Sequence, residues 1–158
     1  MVRLTDLPEW ERDHMLKKIP DLPMFGIKAW VNGKPLLERR LAIVTTAGLH
    51  MRGERPFGQG DLRGDCRVIP GNASAADIVM SQFSTNFDRS GFHRDLNVVF
   101  PIDRLRELAR DGHIGSVADF HYSFMGAGSP VSRMESKARE VAGLLKKDKV
   151  DAVLLTPV

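Results

Sequence analysis

The chain has 158 residues, a formal net charge of +3 and a hydrophobic fraction of 42%. This length is enough for one domain with a single core, and the composition is that of a globular protein rather than a disordered or fibrous one. Basic residues alternate with acidic ones, as in Asp103–Glu107, so no concentrated cationic stripe predicts nucleic-acid binding. Cys66 is the only cysteine, which excludes an intramolecular disulfide and a metal site with several cysteine ligands.

The sequence predicts a cytoplasmic protein. A single cysteine fits a reducing compartment. The first residues, Met1–Asp6, carry charge where a signal peptide requires an apolar run. No stretch approaches the roughly 20 apolar residues of a membrane helix.

Residues 1–40 are rich in proline and glycine, and we expect them to form an arm packed on the domain of residues 41–158. One helix is predicted in the arm, from Glu9 to Lys18, with Trp10, His14 and Leu16 facing inward.

The domain should contain a sheet built around its first strand. Leu41–Thr46 is a continuous β-prone run, which is typical of a central strand buried on both faces. After a glycine-rich loop, strands are predicted at Cys66–Ile69, Val117–Phe124 and Asp151–Thr156. The segment Asp77–Gln82 fits either a strand or a short helix.

Two helices are predicted between these strands. The first follows Pro101 and ends at Gly112, with Ile102, Leu105, Leu108 and Ala109 facing inward. The second has Ser129 as N-cap and Pro130 in its first turn, and the inward residues expected from its spacing are Met134, Ala138, Val141, Ala142 and Leu145. The order strand, helix, strand predicts a right-handed parallel crossover. The fold class is therefore α/β, a mainly parallel sheet flanked by helices, expected as an incomplete three-layer domain.

The end of the central strand is the first candidate site. Thr45, Thr46 and His50 surround Gly48, and ligands gather at the carboxyl ends of parallel strands. Glycine there lets the backbone approach a ligand closely. The alternative is that the threonines bond backbone groups and His50 caps the turn.

Two further clusters carry hydrogen-bonding and charged groups. One contains Asn86, Asp88, Arg89, His93, Arg94 and Asp95; it is either a binding site or a solvated loop of weak ion pairs. The other is His121-Tyr122-Ser123, where the histidine is either structural or directed to the same site as His50. No metal is predicted, because His50, His93, His121 and Asp88 lack the H-E-x-x-H spacing. P-loop, dinucleotide and serine-hydrolase motifs are absent.

Three longer blocks carry a family resemblance. Phe87–Leu105, Gly112–Gly126 and Asp151–Val158 closely resemble the selenoprotein B subunits of the glycine, sarcosine, betaine and D-proline reductases. Thr45–His50 also fits, so the resemblance covers residues 40–158.

The resemblance implies reductive cleavage of a carbon–nitrogen bond, with a pyruvoyl group on a partner subunit. It also implies a selenocysteine or cysteine just after the last strand, hence beyond Val158. A chain that stops here is what results when a UGA selenocysteine codon is read as a stop, so we expect a truncated and inactive front part.

Site roles follow from position and residue type. The expected substrate-binding residues are Thr45, Thr46, Gly48, Asp88, Asp95, Tyr122 and Ser123, with Asp88 or Asp95 binding a substrate ammonium. His50 and His121 are the expected assisting acid–base groups. The sequence does not select among the four substrates. An incomplete sheet also favours self-association, so a homo-oligomer is expected as a possible assembly. The alternatives to the reductase are a non-catalytic module that binds a small ligand or assembles subunits and, ranked last, a hydrolase using His50 and Asp88.

Overall fold

The structure, a computed structural model, describes residues 3–21, 26, 31–58, 64–84, 88–126 and 131–158. The predicted cap residues Ser129 and Pro130, and Asn86 of the polar cluster, lie outside these ranges. The chain divides into two compact units, Met1–Val31 and Asn32–Val158. The predicted arm and domain boundary at residue 40 stays a prediction.

The first unit contains helix α1, Glu9–Lys18, with short 3-10 turns at Leu4–Asp6 and Ile19–Asp21. The helix is where the sequence predicts it, but the predicted inward face is wrong. No residue of α1 is buried, and Trp10 is 73% exposed. At about 100° per residue, Leu16 lies about 120° around the helix from Trp10, so the apolar residues do not form one stripe.

The second unit contains seven strands and three helices among its described residues. In chain order they are β1 Arg40–Thr45, β2 Leu49–Met51, β3 Cys66–Pro70, β4 Ile78–Met80, α2 Ser90–Arg94, α3 Ile102–Arg110, β5 Ser116–Val117, β6 Phe120–Phe124, α4 Val131–Lys147 and β7 Ala152–Thr156. Asp77–Gln82 thus resolves as a strand, β4, which pairs antiparallel with β2 in a small second sheet. The glycine-rich segment separates β2 from β3.

Strand β1 is central in the main sheet, as predicted. It pairs in parallel with β7 along one edge and with β5 and β6 along the other. Strand β3 extends the sheet by pairing antiparallel with β6. Both β6 and β7, which are joined through α4, therefore run parallel to β1, which confirms the predicted mainly parallel α/β fold.

The predicted strand Val117–Phe124 is instead two pieces, β5 and β6. Leu41 pairs with Val117, whereas Val44 pairs with Tyr122, so the second strand holds two extra residues between these positions. In this gap the Ile43 N–H donates to Nδ1 of His121 at 2.9 Å, rather than to a main-chain carbonyl. A buried side chain thereby replaces one acceptor of the sheet.

Two hydrophobic clusters pack against the sheet. Ile43 and Ile69 pack with Phe100, Ile102 and Leu105 of the α3 region. The other cluster joins Tyr122 and Phe124 to α4, whose buried or half-buried residues are Met134, Lys137, Val141, Leu144 and Leu145.

Some predicted inward positions are wrong. Ala138 and Ala142 of α4 are exposed, as is Leu108 of α3. The buried stripe of α4 includes Leu144 instead, because leucine offers more apolar surface to bury than alanine. Strand β7 keeps Val153, Leu154 and Leu155 exposed, and the three-layer arrangement stays a prediction.

Candidate functional site

The carboxyl ends of β1, β6 and β7 meet at one edge of the sheet, which we call the carboxyl edge. It comprises Thr45 to Gly48, Ser123 to Gly126 and Thr156 to Val158. The parallel pairing of Thr45 with Thr156 and with Ser123 places these ends side by side. The structure thus brings together Thr45, Thr46, Gly48 and Ser123, four of the predicted substrate-binding residues, and their binding role stays a prediction.

The Thr45 hydroxyl is fully buried and committed to the main chain. Its Oγ1 lies 3.0 Å from the Val99 carbonyl oxygen and 3.2 Å from that of Thr156. It also accepts from the Ala47 N–H. Thr156 Oγ1 donates to the same Val99 carbonyl at 3.1 Å. These contacts fix the positions of the strand ends.

Thr46 links β1 to the chain after β7. Its Oγ1 accepts from the Val158 N–H at 2.8 Å and lies 3.3 Å from the Val158 carbonyl oxygen. Its carbonyl accepts from Gln82 Nε2 at 3.2 Å. Gln82 is 4% exposed, and its main-chain carbonyl accepts from the Arg89 guanidinium. The sequence analysis did not single out Gln82, whose one signal is a polar side chain two residues after the apolar run Ile78–Met80.

Gly48 begins the turn into β2 with a backbone that favours glycine. Its φ is +67°, and a Cβ there would lie 2.7 Å from Met125 Cε. The adjacent Leu49 N–H donates to Oγ of the fully buried Ser123 at 2.8 Å. Serine therefore fastens β2 to the end of β6.

His50 is buried in β2 and keeps one ring nitrogen without a partner. Its Nδ1 lies 2.9 Å from the Met51 carbonyl, and a carbonyl can only accept, so Nδ1 carries the proton. In the neutral ring Nε2 then holds a lone pair, and no described residue hydrogen bonds to it. A general base accepts a proton on an unprotonated nitrogen of this kind.

His121 has the opposite arrangement of its ring nitrogens. Its Nδ1 accepts from Ile43, so Nε2 carries the proton, and that buried atom also has no partner among the described residues. Burial, with help from the charge of Arg106, lowers the pKa of His121 to about 4. At neutral pH the ring is uncharged and its basic nitrogen is already engaged. The assisting role remains a prediction for both histidines, with the geometry favouring His50.

Asp88 and Asp95 lie at the two ends of α2, and both are exposed. Asp88 accepts from the Ser90 N–H and hydroxyl at 2.8 and 2.9 Å, and the backbone bond is the larger cause of its lowered pKa. Hydrogen bonds from the Asn97 side chain, and then its backbone, lower the pKa of Asp95. Both are ionised at neutral pH, as binding an ammonium requires.

Tyr122 and Cys66 lie on the α4 side of the sheet. Tyr122 is 2% exposed, and burial raises the pKa of its phenol. Burial also raises the pKa of the Cys66 thiol, so Cys66 is not an activated nucleophile. Tyr122 therefore contributes to the core, and its predicted contact with substrate stays untested.

A cavity of about 550 Å³ lies elsewhere, near the amino end of β6, lined by Pro70, Gly71, Asn72, Val117, Ala118, Asp119 and Phe120. Asp119 is its one ionisable lining residue and already pairs with Arg40 at 3.0 Å. The carboxyl edge carries more hydrogen-bonding side chains than this cavity does. Across the described ranges, no group of three or more His, Cys, Asp or Glu could hold a metal ion, and no helix is long and apolar enough to cross a membrane.

Comparison with known proteins identifies the family. The family model described as "Glycine/sarcosine/betaine reductase selenoprotein B" matches residues 72–158, more than half of the chain. The chain belongs to this family. The match includes the three blocks on which the sequence resemblance rests, and it confirms that resemblance.

Curated relatives of this selenoprotein B family member carry reductase names. The D-proline reductase subunit gamma of Acetoanaerobium sticklandii is 40% identical over 126 residues, which are 78% of this chain and 50% of that protein. The betaine reductase complex component B subunit beta of Peptoclostridium acidaminophilum is 29% identical over 132 residues, 78% of this chain and 29% of the relative. The chain thus spans half or less of these relatives. No solved structure matches it.

Proposed function

We propose that this chain is part of the B subunit of an amino-acid reductase that cleaves a carbon–nitrogen bond of glycine, sarcosine, betaine or D-proline. The observation that carries the proposal is the family match over residues 72–158. In the net reaction the carbon–nitrogen bond is replaced by C–H and N–H bonds. A dithiol supplies the two electrons and two protons and becomes a disulfide.

The carboxyl edge is the proposed place of this chemistry. Parallel strand ends are where α/β proteins bind ligands. In the adjoining strand β2, His50 has a buried Nε2 with no hydrogen-bond partner among the described residues, and the ionised, exposed carboxylates of Asp88 and Asp95 flank α2. His50 is proposed to accept or return a proton at Nε2. Asp88 and Asp95 are proposed to bind the substrate ammonium.

Two groups implied by the family are proposed to come from elsewhere: a pyruvoyl group from a partner subunit and a selenol or thiol from a residue after β7. When present, the selenol or thiol supplies the nucleophile. The carboxyl edge could place the selenol or thiol next to the strand ends, but it offers no free threonine hydroxyl to stabilise the selenolate or thiolate. The hydroxyls of Thr45, Thr46 and Thr156 all bond main-chain groups, so these threonines position the strand ends rather than stabilise an anion. The predicted cytoplasmic location belongs to the same proposal.

Reading the coding DNA after the Val158 codon tests the source of the nucleophile. We expect an in-frame UGA or a cysteine codon followed by further coding sequence. An ordinary stop codon with no coding sequence after it would contradict that expectation.

The activity test uses the complete gene product assembled with its pyruvoyl-containing partner and a dithiol. We expect release of the amine product from one of the four substrates, and a loss of about 100-fold in His50→Ala, the usual size of an acid–base contribution. His113→Ala is the control, because His113 is exposed. Equal rates for wild type and His50→Ala would remove His50 from the mechanism.

A second candidate function is subunit assembly without catalysis, and the exposed side of β7 favours it. Leu155 is 69% exposed, and among the described strands β7 pairs only with β1. An exposed apolar edge strand is a surface on which another chain can add. A folded, assembled complex that cleaves none of the four substrates would support this alternative.

A further inference from the structure

The parallel ladder between β1 and β7 ends in an unusual way at the carboxyl edge. Up to this point the pairing is regular, and the Thr46 N–H donates to the Thr156 carbonyl at 3.2 Å. In a parallel ladder the next bond would join the Val158 N–H to the Thr46 carbonyl. Instead the Val158 N–H donates to the Thr46 hydroxyl at 2.8 Å.

The Thr46 carbonyl is turned away from β7. It accepts from the Gly126 N–H at 3.1 Å and from Gln82 Nε2 at 3.2 Å. The main chains of β1 and β7 therefore separate after Thr46. One hydroxyl spans the gap between them.

The hydroxyl makes two contacts with the same residue, because it also lies 3.3 Å from the Val158 carbonyl oxygen. In the described part of the chain, Thr46 is the only residue that hydrogen bonds the Val158 backbone.

The neighbours of Thr46 hold its side chain in place. A Cβ on Gly126 would lie 2.9 Å from Thr46 Cβ and 3.1 Å from Oγ1, so glycine is needed for this close approach. Gln82 is itself fixed, since its Oε1 accepts from the Ser84 N–H. Gly126 therefore leaves room for the Thr46 side chain, and Gln82 holds the Thr46 carbonyl away from Val158.

We propose that Thr46 is a positioning residue, whose hydroxyl sets where the chain after β7 lies relative to the end of β1. The inference rests on the proposed function insofar as the reaction takes place at this edge. Thr46 acts through Val158 and is not a catalytic residue.

Thr46→Val and Thr46→Ser form a matched pair, because valine removes the hydroxyl at nearly constant shape and serine keeps it. The first measurement is hydrogen exchange of the Val158 amide by NMR. We expect exchange about tenfold faster in Thr46→Val, as for the loss of one hydrogen bond, and little change in Thr46→Ser. The Ile43 amide, which bonds to His121, is the internal control and should not change.

The second measurement is turnover of the assembled complex. We expect Thr46→Val to lower kcat about tenfold with KM nearly unchanged, and Thr46→Ser to restore kcat. Unchanged Val158 exchange in Thr46→Val, or an unchanged kcat despite faster exchange, would overturn the inference. A wild-type complex that cleaves none of the substrates would contradict the proposed function. The exchange rates would still show whether the Thr46 hydroxyl holds the Val158 backbone.

Discussion

At the scale of single residues, the two buried histidines differ in what their ring nitrogens can do. His121 uses Nδ1 as a substitute for a main-chain carbonyl, whereas His50 keeps a free acceptor at Nε2. Phe100 packs edge-on against the His121 ring with centroids 5.5 Å apart. His121 is therefore part of the sheet, and its neutral form is the one that the fold requires.

Replacing His121 tests this structural role. His121→Ala leaves the Ile43 N–H without an acceptor and opens a cavity, so we expect a loss of about 3 kcal/mol in the free energy of unfolding. His121→Asn places an oxygen near the position of Nδ1 and should recover part of that loss. Urea denaturation measures both. Equal destabilisation by the two variants would show that the acceptor contributes nothing.

The same histidine predicts acid lability. Its pKa is about 4 in the folded protein and 6.5 when unfolded, so the unfolded state binds more protons between these values. Stability is fully present above pH 6.5 and falls as the pH drops towards 4, by on the order of 3 kcal/mol. Chemical denaturation from pH 7 to pH 4 checks this, and His121→Asn should flatten the dependence.

At the scale of elements, the end of α4 is tied to the gap between β5 and β6. Asp148, just after α4, accepts from Arg40 Nη2 at 2.6 Å and from the Asp119 N–H at 2.8 Å. Arg40 also donates to the Val117 carbonyl at 2.7 Å. Although burial alone would raise it, the pKa of Asp148 is lowered by these hydrogen bonds. The ion pair therefore holds the interrupted strand where the ladder has a gap.

Removing the Asp148 charge should destabilise the fold. Asp148→Asn removes the more buried of the two carboxylates that pair with the half-buried Arg40 and leaves only the exposed Asp119, so we expect a loss of about 2–3 kcal/mol. The control is Asp111→Asn, whose pair with Arg110 is exposed and should cost less than about 1 kcal/mol. Thermal denaturation of both variants measures the difference in destabilisation. Equal shifts in Tm would contradict the stabilising role of the Arg40–Asp148 pair.

Elements defined by strong local patterns could be predicted from the sequence, and those defined by tertiary context could not. The apolar run of β1 and the Pro101 start of α3 gave correct elements. The break at Ala118-Asp119 depends on an imidazole that replaces a carbonyl, which no local pattern reveals. Likewise, the position of Thr46 at the edge was predictable, but its bonds to Val158 depend on pairing with a strand more than 100 residues away.

At the scale of the whole molecule, the residues that the family model matches contribute two of the three segments of the carboxyl edge. The family model covers the segments that form α2, α3, β6 and β7, which include Thr156, while Thr45 and Thr46 come from β1 and the residue after it. At the carboxyl edge the threonine hydroxyls fix backbone positions, and in the adjoining strand β2 His50 keeps Nε2 without a partner among the described residues. We propose that the amino-acid substrates bind at this edge.

An NMR titration of the isotopically labelled chain with glycine, sarcosine, betaine and D-proline tests that claim most directly. We predict that at least one of them shifts the amide signals of Thr46, Gly48, His50 and Val158. The cavity near the amino end of β6 is the internal comparison. Shifts confined to residues 70–72 and 117–120, or no shifts with any of the four, would contradict the account.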